Sequence, residues 1–131
     1  MKFKNKQKYY NCKTKSSDGI VFDSHKEASR WEQLRILERA GEITDLQRQV
    51  KYEIIPAQYE TYERYSKRGE RLKDGTRLVE RKAEYVADFV YTTKLGELIV
   101  EDTKSVATRT KEYILKRKLM RLVHGIRIHE V

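Results

Sequence analysis

The chain predicts an α+β fold, a central mixed sheet flanked by two helices, and three observations carry that class. Valine, tyrosine, phenylalanine and isoleucine crowd the runs Tyr85 to Tyr91 and Leu98 to Val100, on either side of a Lys94-Leu95-Gly96-Glu97 turn, as adjoining strands require. Two other segments repeat apolar residues at helical spacing: Ala28, Trp31, Leu34 and Leu37, then Leu115, Leu119 and Leu122. A chain of 131 residues suffices for one core and is too short for two, so residues 1–131 are expected to form a single domain.

In chain order, Tyr9 to Thr14 and Ile20 to Phe22 flank Lys15-Ser16-Ser17-Asp18-Gly19, whose Asp-Gly pair signals a hairpin turn. Asp23-Ser24-His25-Lys26-Glu27 opens the first helix, whose wet side carries Glu32, Arg35 and Arg39, and Gly41 ends it. Leu46 to Ile55 reads as a strand stopped at Pro56. From Ala57 to Lys82, tyrosines interleave with charges and no period is kept, which predicts a mobile insertion or a hairpin arm turning at Asp74-Gly75. Beyond the two central strands, Arg109 to His124 makes the second helix, its leucine stripe widened by Met120 and Val123. Gly125 closes that helix, and Ile126 to Val131 is a last short strand.

Charge narrows the function. Twenty-nine Lys and Arg against twenty Asp and Glu leave a formal charge of +9, which predicts affinity for a polyanion, most simply a nucleic-acid backbone. Nine tyrosines add side chains that stack on bases or sugars. A single cysteine, Cys12, excludes an internal disulfide and a cysteine-rich zinc site, and His25, His124 and His129 lack zinc spacing with it. The basic N-terminus has no apolar run behind it, so neither a signal peptide nor a membrane span is expected, and the location expected is the cytoplasm.

Two acidic positions fall in the most apolar part of the chain. Asp88 lies within Tyr85-Val86-Ala87-Asp88-Phe89-Val90-Tyr91, and Asp102 and Lys104 are two apart in Val100-Glu101-Asp102-Thr103-Lys104. Residues i and i+2 of a strand leave the same face roughly 6 to 7 Å apart, so Asp102 and Lys104 share one space, and pairing across the turn brings Asp88 to it. Carboxylates in an apolar strand need a partner or a metal. Two of them with an ammonium suit a divalent ion on oxygen ligands and phosphodiester cleavage. The plain alternative is a solvated strand face with a weak ion pair. Glu27 also has two readings. Ser24-His25-Lys26-Glu27 matches a capping box, whereas the i, i+4, i+7 spacing of Glu27, Trp31 and Leu34 places the carboxylate on the buried stripe.

This order of helix with Glu, strand, strand with Asp, strand with Asp-x-Lys, helix and strand resembles the core of the PD-(D/E)XK nucleases, the restriction-endonuclease-like fold. Phe22-Asp23-Ser24-His25-Lys26-Glu27-Ala28-Ser29-Arg30-Trp31, the run from Ala40 to Gln49, and the two strand motifs together look like a family of small phage and prophage proteins placed in that superfamily. The resemblance covers about residues 20–131. It implies that Asp88, which follows Ala87 where the superfamily name has proline, and Asp102 hold Mg2+ or Mn2+ with the Thr103 carbonyl. It further implies that Glu27 serves a second metal or a bound water, that Lys104 holds the attacking hydroxide, and that Gln49 orients a water or phosphate. From the residues themselves, Arg30 and Lys111 are either grips for flanking phosphates or plain surface cations, and the insertion with Arg64, Tyr65, Lys67 and Arg68 is either a DNA-contacting flap or a cover whose tyrosines lie over the sheet edge. By analogy the activity implied is that of a homodimeric Holliday junction resolvase acting on branched DNA. The alternatives are a nuclease for other branched or single-stranded DNA and a non-catalytic nucleic-acid-binding module on the same fold.

Overall fold

The computed structural model describes residues 13–131. A short hairpin of β1 (Thr14–Lys15) and β2 (Val21–Phe22) leads into α1 (His25–Arg39), followed by β3 (Ile43–Ile55). Strands β4 (Gln58–Tyr65) and β5 (Arg71–Glu80) come next, then β6 (Ala83–Thr93), β7 (Leu98–Asp102), α2 (Lys111–His124) and β8 (His129–Glu130). The central sheet has the order β3-β6-β7-β8; its first two pairings are antiparallel and β7 with β8 is parallel, so the sheet is mixed. Tyr9 to Cys12, the outer part of the expected first hairpin, lie outside the described residues.

One helix covers each face. Under α1 lie Phe22, Ala28, Trp31, Leu34, Ile43, Phe89 and Tyr91, with Trp31 stacked on Phe89 at 6.0 Å between ring centroids. Under α2 lie Ile54, Tyr85, Ala87, Val90, Val100, Tyr113, Met120 and Ile128. Each fully buried side chain as large as Val100, Leu34, Met120 or Phe89 stabilises the fold by roughly 1.5–3 kcal/mol before ordering entropy is subtracted. The Ser24 hydroxyl accepts from the Glu27 N–H at 3.1 Å to start α1. Gly125 at φ 66 ends α2.

Three expectations are corrected. The buried stripe of α2 is Tyr113 and Met120 with Ile114 and Leu119 partly covered, while Leu115, Leu122 and Val123 are 58%, 80% and 51% exposed. Tyr113 and Met120 keep the same seven-residue spacing as Leu115 and Leu122, and the phenol decides between the two registers because its hydroxyl reaches Glu130 at 3.0 Å. Residues 58–80 form a two-stranded hairpin that turns at Ser66 to Glu70, not at Asp74-Gly75. Gly69 takes φ 82 in that turn, whereas Gly75 sits inside β5 under the Tyr62 ring, so close that a Cβ there would lie 2.4 Å from Tyr62 Cζ. Finally, β3 begins at Ile43 rather than Leu46, carried past a bulge between Thr44 and Gln47 in which Asp45 takes φ 56.

A second irregularity in β3 shapes the site. Arg48 lies over Phe22 at 4.4 Å on the α1 side, whereas Val50 and Tyr52 pack on the α2 side. In β6, Tyr85 and Ala87 face α2 while Phe89 and Tyr91 face α1. Regular strands keep i and i+2 on one face. Both strands therefore change face between these positions, at Gln49 and Asp88, and Gln49 makes the change with a left-handed φ of 51.

Candidate active site

The paired register of β6 and β7 matches Phe89 with Glu101, so one step further sets Asp88 against Asp102. Asp102 is 3% exposed and Glu27, from the first turn of α1, is 8% exposed. These three carboxylates line a cavity of about 230 Å³ together with Thr103, Lys104, Lys26 and Ser24. The expected set of Glu27, Asp88, Asp102, Thr103 and Lys104 is thus brought together, and Gln49 reaches it from the rim. The Gln49 side-chain amide lies 3.4 Å from Glu27 Oε1 and 3.4 Å from Asp88 Oδ1.

Each acid has its own supports. Asp88 Oδ2 accepts from the Thr103 N–H at 2.9 Å and the Thr103 hydroxyl at 2.8 Å, so Thr103 enters the site through two donors. Asp102 Oδ2 accepts from the Tyr85 hydroxyl at 2.7 Å and pairs with the Lys104 ammonium at 3.2 Å. Lys104 Nζ also rests 4.2 Å from the centre of the Tyr113 ring, which fixes an otherwise flexible stem. Lys26 Nζ donates to the Lys104 carbonyl at 2.7 Å and ties α1 to the end of β7. The Glu27 carboxylate turns toward Gln49 and the acids.

The electrostatics follow from burial. Desolvation, then the adjacent Asp88 carboxyl, pushes Asp102 up to about 7, against the opposing pull of Tyr85 and Lys104. Glu27 is likewise pushed up to about 7, by burial first and Asp88 second, with Arg48 and Lys104 working in the other direction. Burial and the Asp102 charge push the Tyr85 phenol up as well, so Tyr85 stays a hydrogen-bond donor at physiological pH. Among the described residues, no group of three or more histidine, cysteine or carboxylate side chains is drawn tightly enough together to enclose a metal ion. One oxygen each of Asp88 and Asp102 is already occupied by Thr103, Tyr85 and Lys104.

Glu101 faces the other way. It is 2% exposed and accepts from Arg30 at 2.8 and 2.5 Å and from the Tyr91 hydroxyl at 2.5 Å, so Arg30 is occupied by an ion pair outside the acidic cavity. Lys111 is exposed at the start of α2 and does not line the cavity. Arg64, Tyr65, Lys67 and Arg68 are exposed at the far end of the β4–β5 hairpin. Tyr85, Arg48, Lys26 and Tyr113 were missed from the sequence, because nothing local marks them and each meets the acids only through the folded chain.

The fold and site define an α+β domain with a buried acidic centre at the end of its mixed sheet. Residues 6–129 match a family described as protein of unknown function (DUF1064), and the chain belongs to that family. No curated protein and no solved structure matches it. No helix among the described residues is long and apolar enough to cross a membrane.

Proposed function

We propose that this protein is a metal-dependent DNA endonuclease with a restriction-endonuclease-like core, and that its substrate is branched DNA, a four-way junction foremost. The observation that carries the reading is the convergence of Glu27, Asp88, Asp102 and Lys104 on one small cavity, where two of the acids are pushed up to about 7.

The donor set fits a hard divalent cation, since its candidate ligands are all oxygens, and crowding the carboxylates by burial creates a repulsion that such an ion would relieve. Asp88 and Asp102 would hold Mg2+ or Mn2+, with Glu27 on a second ion or on bound water. The ion would supply positive charge to the phosphoryl oxygens and a bound water more acidic than bulk water. The chain's own residues do the rest. Thr103 and Tyr85 fix the two carboxylates in place, and Lys104, braced by Tyr113, places a cation where charge develops on a scissile phosphate. Gln49 presents an amide donor at the mouth of the cavity, where it can orient a water or a phosphate oxygen.

The hairpin supports a grip on branched DNA. It pairs with no strand of the central sheet, and its turn carries Lys67 and Arg68 beside Arg64 and Tyr65, the last 56% exposed. Cutting a junction symmetrically calls for two sites, hence a homodimer. One observation favours a second reading, a non-catalytic nucleic-acid-binding module: the acids do not form a pre-assembled metal-ligating group.

The test is a cleavage panel of four-way junction, flap, linear duplex and single strand with Mg2+ or Mn2+, alongside calorimetric metal titration. The expected result is metal-dependent cutting with the junction preferred. Metal uptake or cleavage absent under all conditions overturns the enzyme and leaves the binding module.

A further inference from the structure

The acidic cavity neighbours two further depressions, each sharing wall residues with the next. Its wall residues Lys26 and Thr103 also line a groove of about 570 Å³ along the first turns of α1, with His25, Ser29 and Gln33. Arg30 and Val131 also line a basin of about 1040 Å³ that runs from α2 past the β8 edge to Tyr91 of β6 and Ile99 and Glu101 of β7.

The basin is cationic. Arg30, Arg117, Lys118, Arg121 and Arg127 line it against only Glu101 and Glu130. Both acids are already neutralised: Glu101 by Arg30, and Glu130 by Arg109 at 2.5 Å and Arg117 at 2.7 Å. Among the described residues, the side chains of Lys118, Arg121 and Arg127 form no hydrogen bond, ion pair or ring contact, and all three are exposed. Three unpaired cations lining one trough repel one another until a polyanion neutralises them.

We propose that the α2–β8 basin binds the phosphate backbone of a nucleic acid, and that the groove along α1 carries that strand between the basin and the acidic cavity. The inference rests on the nuclease reading and adds to it a second binding site, remote from the acids. A concave trough admits a backbone along its length, whereas a flat bilayer touches only its rim. The continuity through Lys26 and Arg30 gives the bound strand a route to Asp88 and Asp102.

The test compares the wild type with Lys118→Ala/Arg121→Ala/Arg127→Ala and with the glutamine triple variant, all checked for native melting. Binding to a long duplex is measured with EDTA present across a salt series, and cleavage with metal on long and very short substrates. The variants are expected to bind the long duplex at least ten-fold more weakly, with a log–log salt slope shallower by about 2 to 3, and to cut the very short substrate at the wild-type rate. Wild-type protein that binds no nucleic acid overturns the nuclease reading and this one with it. Wild-type binding matched by the variants in affinity and slope overturns the basin alone. So does a variant that keeps its DNA affinity but loses an acidic peptide or anionic vesicles, or one that loses short and long substrates equally.

Discussion

Gln49 stands across from Asp88, between the paired positions Arg48 with Phe89 and Val50 with Ala87, and its side-chain amide lies 3.4 Å from the Asp88 carboxylate. The backbone of Gln49 is left-handed at φ 51, a conformation that costs a non-glycine residue on the order of 1 kcal/mol and persists where the surroundings impose it. The strain changes the face of β3 and aims Gln49 at the acids.

Gln49→Gly therefore separates fold from function. Glycine adopts this φ freely, so the variant is expected to melt no lower than the wild type, while cleavage falls about ten-fold, equivalent to about 1.4 kcal/mol at the transition state. Thermal melts and single-turnover rates measure the two effects. A variant that keeps full activity would show that only the backbone of Gln49 matters.

Asp88→Ala and Asp102→Ala are expected to lose at least a hundred-fold in cleavage, about 2.7 kcal/mol, and to remain folded. Glu27→Gln discriminates more finely. Only the Ser24 half of the capping box is formed, and it uses the Glu27 backbone N–H, which glutamine keeps. The melting temperature should hold while cleavage falls ten-fold or more. Unchanged cleavage returns Glu27 to a structural role.

The raised acids make metal-free stability depend on pH. Asp102 and Glu27 hold protons in the fold up to about 7 but lose them near 3.8 and 4.5 when unfolded. Between those limits these two groups bind more protons in the native state than in the unfolded one, so their contribution to stability is fully present below about 3.8 and is lost as pH rises through about 7. Denaturant titrations in EDTA from pH 5 to 8 should show this decline, of order 1 to 3 kcal/mol. Asp102→Asn should lessen the slope, and saturating Mg2+ should lessen it too. A wild-type slope identical to that of Asp102→Asn would contradict the assigned shift.

Excision of the hairpin tests its independence. Ile55 pairs with Ala83 at the root of the arm, so a short turn can replace residues 57–81 without disturbing the central sheet. The shortened protein should melt within a few degrees of the parent, cut single strands nearly as well, and lose its preference for a four-way junction over linear duplex in a competition assay. An undiminished preference would remove the arm from substrate choice.

Local signals in the sequence determined the α+β class, both helices, the paired central strands and the acids on them. Apolar spacing and turn residues act between neighbours along the chain, so they can be read without tertiary contacts. That is why Asp88, Asp102 and Lys104 could be placed in one space from spacing and a turn alone. Only the tertiary structure decided what depends on distant partners. It set Tyr113 rather than Leu115 on the buried side of α2, because the phenol finds Glu130. It also placed Gly75 under Tyr62 instead of in a turn, and bound Arg30 to Glu101 instead of leaving it for a phosphate. The change of face at Gln49 and Asp88 was beyond any periodicity, because a left-handed residue inside a strand breaks the alternation on which such reading depends.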